Sequence, residues 1–322
     1  MNSRLTELLL SKKFEDARLL LQSNLEKGEL LDPRVDRLWA PVADTISAHV
    51  IKENGLDAAI LFWEELLEFF ERRIEPTWGH AHKGHIYFRL ALHAGKRDFA
   101  KARYYLSLAR AEDLIQQRNL GGTEQEILAR AQQSSSHVAL VLLERIKETD
   151  FDSSEEQAQF FDNLFGPSFD AAINGQVVNP DLVLKALERI IPEQVGAICF
   201  SLYKELFAAA NQNLPFATVS LTGTVLESIL LGILIHQKGI STLPSGKFIK
   251  DVELGTLVSQ AIAQNIFPSK TIKSTMRLVH ILRNRLHPGN EMQQEHKLTN
   301  RVSITLKIMF ELALVEWSQS IA

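Results

Sequence analysis

The feature that most restricts this chain is its apolar periodicity. Over most of its 322 residues, apolar side chains recur at three- and four-residue spacing, while apolar–polar alternation bounded by turn signals is scarce. A sheet needs period-two segments to gather an apolar face, so a chain patterned this way has little from which to build one. The expectation is an all-α protein. Apolar residues make up 45% and charged residues 23%, the profile of a globular chain with a sizeable core and length enough for two domains.

In the first half, three short sites look alike: Lys13-Phe14-Glu15-Asp16-Ala17, Asn54-Gly55-Leu56-Asp57-Ala58-Ala59 and Arg97-Asp98-Phe99-Ala100-Lys101-Ala102. Each is a polar turn, an apolar residue and then a small alanine that opens a longer amphipathic helix. Ala17, Ala59 and Ala102 are 42 and 43 residues apart, which suggests a repeated helix-turn-helix unit. A small residue at the turn lets antiparallel helices approach, and each hairpin buries its apolar face on the next. The third copy, with Tyr87, Leu90 and Ala91 on one helix and Ala102, Tyr105 and Ala109 on the next, resembles the tetratricopeptide repeat. The resemblance covers residues 10–120, with a longer period than the family's, and implies a platform for a protein partner or a support for a second domain. The run Trp78-Gly79-His80-Ala81-His82-Lys83-Gly84-His85 reads as a loop. Its three histidines lack the Cys or Asp partners and fixed surroundings that metal sites need, so no metal is expected there.

An acidic, Ser-containing stretch, Glu148 to Glu156, breaks the helical pattern. The reading is a repeat domain over 1–150, a linker with connecting helices over 151–189, and a helical bundle over 190–322. Within the bundle, helices are predicted over 192–213, 215–237, 247–264, 269–288 and 291–320. The second is apolar on nearly all sides and is expected to be the central buried helix. Its Glu227 is a carboxylate in hydrophobic company and wants a cation, with Arg277 or Arg283 the suppliers at hand.

The stretch from Met276 to Asn290 gathers the polar chemistry. Met276, Val279, Leu282 and Leu286 mark a helix, and Pro288-Gly289 ends it. Arg283 and His287 are four apart and can share a face, with Asn284 beside them. A cation, an amide and an imidazole at a helix end make a candidate phosphate site. Around it, residues 247–301 hold nine Lys or Arg against four Asp or Glu, whereas the whole chain carries a net charge of −4 that argues against indiscriminate nucleic-acid binding.

Three elements together resemble the HEPN superfamily of small helical bundles: Gly223-x-x-x-Glu227 among leucines, Leu254-Gly255-x-Leu257, and Leu282-Arg283-Asn284-x-x-His287-Pro288-Gly289. The resemblance covers residues 190–322. It implies a metal-independent ribonuclease, of toxin or defence type, whose site forms across a homodimer. Arg283 and His287 would then be catalytic, Arg283 holding the scissile phosphate and His287 serving as general acid or base. Asn284, Arg277 and Arg285 would bind phosphate or RNA, with Glu227 and His280 supporting them. Imidazole suits such work because it titrates near neutrality. Three residues separate Arg283 from His287, fewer than the four to six usual in the nucleases. The resemblance therefore also implies a non-catalytic bundle that binds nucleotide or nucleic acid, or that dimerises.

Other enzyme classes find no support: the chain shows no phosphate-cradling glycine loop, nucleophile elbow or carboxylate–histidine metal motif, and no cofactor is implied. The single cysteine, Cys199, sits in an apolar run, which points to buried packing and a reducing compartment. The N-terminus has no secretory pattern, and the apolar stretch Val225 to Ile235 is short for a bilayer. The expectation is a cytoplasmic protein without membrane association.

Overall fold

The computed structural model describes residues 3–28, 39–73, 76–151, 153–286 and 296–321, with backbone alone for 73–81. Among these residues the regular structure is helical and there is no strand; a single isolated bridge joins Thr242 to Phe248. The chain divides into two compact units, Met1–His137 and Val138–Ala322.

The first unit is a run of hairpins whose turns fall where the repeated sites predict them. Helices α1 (Ser3–Leu10) and α2 (Phe14–Glu26) form the first, α3 (Ala40–Asn54) and α4 (Leu56–Arg73) the second, α5 (Pro76–Gly95) and α6 (Phe99–Asn119) the third. Helix α7 (Glu124–Ala131) follows, and the boundary between the units falls inside α8 (Ser135–Glu144). The α3–α4 turn depends on Gly55, whose φ of +87 is costly for a residue with a Cβ. At the α5–α6 turn the Asp98 carboxylate accepts from the Lys101 backbone N–H at 2.9 Å, an N-cap. Ala17, Ala59 and Ala102 are fully buried, as close approach of paired helices requires.

The loop expected over residues 78–85 is instead part of α5. Gly84 serves packing there, since an added Cβ would lie 3.1 Å from Asp113 Oδ1 and 3.6 Å from the Ala109 carbonyl of α6. Of the three histidines, His82 is buried and accepts from Trp39 Nε1 at 2.9 Å. His85 lies 3.6 Å from the Asp44 carboxylate. Trp63 Nε1 donates to Ser47 Oγ at 2.9 Å, and Ser47 Oγ lies 3.3 Å from His93 Nε2. Burial and the cations Lys96 and Arg89, opposed by Asp44, push the His93 pKa down to about 3, so its ring is neutral.

The second unit contains α9 (Ser154–Leu164), α10 (Pro167–Ile173), α11 (Pro180–Ile190), α12 (Glu193–Asn211), α13 (Pro215–Gly232), α14 (Leu254–Ala263), α15 (Lys270–Arg285) and α16 (Asn300–Ser320). Side-chain oxygens of Ser153, Asn179, Ser269 and Thr299 cap α9, α11, α15 and α16. Residues 151–189 belong to this body. Phe161, Phe165 and Phe169 meet in sequence, tilted and then edge-on, with centroids 5.8 and 5.5 Å apart, and α10 and α11 pack on α16.

Helix α13 is buried as its composition predicts and packs on α12, α14, α15 and α16. It continues as a π turn over Ile233–Gln237, which makes Pro215–Gln237 long and apolar enough to cross a membrane; 61% of its most apolar window is buried in the bundle. Helix α16 is the more enclosed of the two, with Phe310 and Leu314 fully buried alongside Lys307 and Glu311. Those two charged residues give its sequence the look of a surface helix.

Candidate functional site

Two glycines set the geometry around α15. At Gly223 of α13 an added Cβ would lie 2.4 Å from Arg283 Cδ and 2.9 Å from Arg283 Cβ. The missing side chain is therefore the recess in which the stem of Arg283 lies. One turn further along α13, Glu227 receives the guanidinium: Arg283 Nη2 donates to Glu227 Oε2 at 3.0 Å. At Gly255 of α14 an added Cβ would lie 2.5 Å from His280 Nε2. The two glycines of the sequence motif thus admit the two polar side chains of the facing helix, and of the two cations the sequence offered to Glu227, Arg277 and Arg283, it is Arg283 that pairs with it.

The Arg283 and Glu227 side chains keep 33% and 28% of their surface exposed, and both border an open cleft of about 620 Å³. Arg283, Asn284 and Glu227 line it together with Lys250, Asp251 and Glu253. Asn284 Nδ2 lies 2.8 Å from His280 Nε2. Burial, with Arg277, Arg283 and Arg285 nearby and Asp150 opposing, holds the His280 pKa below its ordinary value. A neutral imidazole accepts from the Asn284 amide and fixes its orientation.

Arg277 and Arg285, expected beside Arg283 as phosphate ligands, are turned elsewhere. Residues six and two positions from Arg283 lie well around the helix from it, at 100° per residue. Arg277 donates to Glu156 of α9, and Lys273 Nζ lies 3.4 Å from the same carboxylate. Arg285 donates to the Arg145 carbonyl and, at 2.6 Å, to Asp150 Oδ1. All three arginines of α15 are therefore paired with carboxylates, and only Arg283 reaches the cleft. His287 lies outside the described residues.

Lys250, Asp251 and Glu253 were not among the residues singled out from the sequence. The helix predicted from Lys247 starts instead at Leu254. The preceding segment is a turn closed by the Thr242–Phe248 bridge and by Leu243 N–H donating to the Lys247 carbonyl at 2.8 Å. The available signal was Ser245-Gly246, a turn dipeptide, with Gly246 at φ +83. Among the described residues no group of three or more His, Cys, Asp or Glu is placed to hold a metal ion.

Compared with protein-family models, curated proteins and solved structures, the chain matches none.

Proposed function

We propose that the bundle over residues 190–322 is HEPN-like and works as a metal-independent endoribonuclease of toxin or defence type, as a homodimer in a reducing cytoplasm. In this reading the N-terminal hairpins are a tetratricopeptide-like array that holds a protein partner. The observation that supports it is the placing of Arg283 beside Asn284 at the end of α15, both opening on a polar cleft and each held by a neighbour, Arg283 by Glu227 of the cleft lining and Asn284 by His280. Preorganised donors of this kind stabilise charge developing on a phosphate without reorganising during the reaction.

The chemistry is attack of a ribose 2′-oxygen on the adjacent phosphorus with departure of the 5′-oxygen. His287 takes the 2′-hydroxyl proton as general base or gives one to the departing 5′-oxygen as general acid, with water carrying the other, while Arg283 neutralises the phosphoryl oxygens and Asn284 donates to one of them. Acid–base help of this kind contributes roughly a hundred- to ten-thousand-fold in rate. A second reading, a non-catalytic bundle that binds nucleotide or nucleic acid or dimerises, is favoured by the Glu227–Arg283 ion pair, which satisfies the guanidinium before any ligand arrives.

Incubation of a mixed RNA pool with EDTA and wild-type protein, Arg283→Ala or His287→Ala, with oligomeric state measured in parallel, separates the two. Cleavage by the wild type, lost at least a hundredfold in both variants while the dimer persists, is the expected outcome. A folded wild-type dimer that leaves RNA intact overturns the nuclease reading in favour of the binding one.

A further inference from the structure

The segment leading into α14 is a short 3-10 turn, Ile249–Asp251, followed by extended residues. Ile249, Val252 and Leu254 are buried, while Phe248, Lys250, Asp251 and Glu253 are exposed. The buried residues anchor the strip to the bundle. The Thr242–Phe248 bridge and Ile249 N–H donating to the Ser241 carbonyl at 2.9 Å fix its start. Three of the four outward side chains line the cleft beside Arg283. The fourth, Phe248, is 57% exposed and lies against Lys250 of the lining, whose Nζ is 5.7 Å from its ring centroid.

The charge of this cleft does not suit a phosphate throughout. Lys250 and Arg283 are outnumbered by Glu227, Asp251 and Glu253. Among the described residues Asp251 and Glu253 make no ion pair, whereas Glu227 is taken by Arg283. Two unengaged carboxylates next to an exposed aromatic ring call for a flat, neutral group with N–H donors on its edge. Nucleobases have a π-face that stacks on aromatic side chains and edges that hydrogen-bond. Guanine alone among the standard bases sets two donors, N1–H and the 2-amino group, side by side on its Watson–Crick edge, matching the two oxygens of one carboxylate. The cleft's size also falls in the range of small-ligand sites.

We propose that this cleft is a guanine subsite: Phe248 stacks the base, Asp251 and Glu253 accept from its Watson–Crick edge, and Lys250 and Arg283 meet the flanking phosphate. This rests on the nucleic-acid reading of the Arg283 site and names the base that site selects.

The test is equilibrium binding of GMP, AMP, CMP and UMP, and of inorganic phosphate, to the full chain. Wild type, Phe248→Ala and the double variant Asp251→Asn/Glu253→Gln are compared, with circular dichroism confirming that these exposed substitutions leave the fold intact. GMP should bind at least tenfold more tightly than the other three. Phe248→Ala should weaken GMP by roughly 10- to 100-fold, the range of base–aromatic stacking. The double variant should abolish the preference for GMP while leaving or strengthening phosphate binding. Equal binding of all four nucleotides, or a double variant that only tightens phosphate, overturns the proposal. The two readings fail separately: guanine-selective binding by a chain that cleaves nothing sustains this one and removes the nuclease. Cleavage at all bases alike, unaffected by Phe248→Ala, does the reverse.

Discussion

In the first unit the two buried indoles of Trp39 and Trp63 hydrogen-bond to uncharged partners: their N–H donors end on His82 and, through Ser47, beside His93. In the second, Lys307 and Glu311 are buried together in α16, one turn apart at 2.6 Å. Tyr203 of α12 donates to the same Glu311 oxygen at 2.6 Å, and Lys307 Nζ stands 5.3 Å from the centroid of the Phe207 ring. Burial, with Glu311 adding to it, raises the Tyr203 pKa, so its hydroxyl keeps the proton it donates. Both arrangements join helices distant in sequence, but their failures differ in kind. Losing a neutral partner strands one hydrogen-bonding group, whereas losing one member of an ion pair strands a charge.

Lys307→Met tests the more severe failure. It should destabilise the second unit by about 3–5 kcal/mol in denaturant unfolding, because Glu311 is left buried without its cation. Adding Glu311→Met should recover most of that loss. A double variant no more stable than the single would show that packing, not charge, is what Lys307 supplies.

The neutral network predicts an intermediate, pH-dependent effect. His93 binds its proton only near pH 3 when folded but near 6.5 when unfolded, so between those values the unfolded chain holds more protons. Stability is complete above about pH 6.5 and falls as pH drops toward 3, with a loss of about 2 kcal/mol by pH 5. Hydrogen exchange of the α3–α5 amides at pH 7 and pH 5 should record it, and His93→Gln should flatten it. Unchanged protection in the wild type would mean that the ring escapes its buried site. The smallest effect is at the surface. Arg97 and Asp57 pair at 2.6 Å but are mostly exposed, and Arg97→Ala should change stability by no more than about 0.5 kcal/mol. A loss above about 1 kcal/mol would erase the contrast between buried and exposed pairs.

What the sequence disclosed and withheld follows the range of the interactions involved. The hairpin turns were legible at Gly55 and Asp98 because positive φ and N-capping are properties of a few adjacent residues. The Glu227–Arg283 pair was legible because an apolar helix leaves its one carboxylate a short choice of cations. The partners of Arg277 and Arg285 were not legible because their carboxylates, Glu156 and Asp150, lie 121 and 135 residues away. The start of α14 was placed too early because the charges of Lys250, Asp251 and Glu253 fit a helix surface as well as the 3-10 turn and extended residues that precede it.

The sequence by itself therefore determined the helical class, the three hairpins and the end of α15 as the place where polar chemistry gathers, since each rests on periodicity or turn chemistry. Tertiary structure decided which arginine faces the cleft, that residues 151–189 pack as part of the second body, and that α16 is more enclosed than α13. Burial of Lys307 and Glu311 is possible only because α12 supplies Tyr203 and Phe207 at the right depth. A charged helix becomes a core helix only when its partners arrive from elsewhere in the chain.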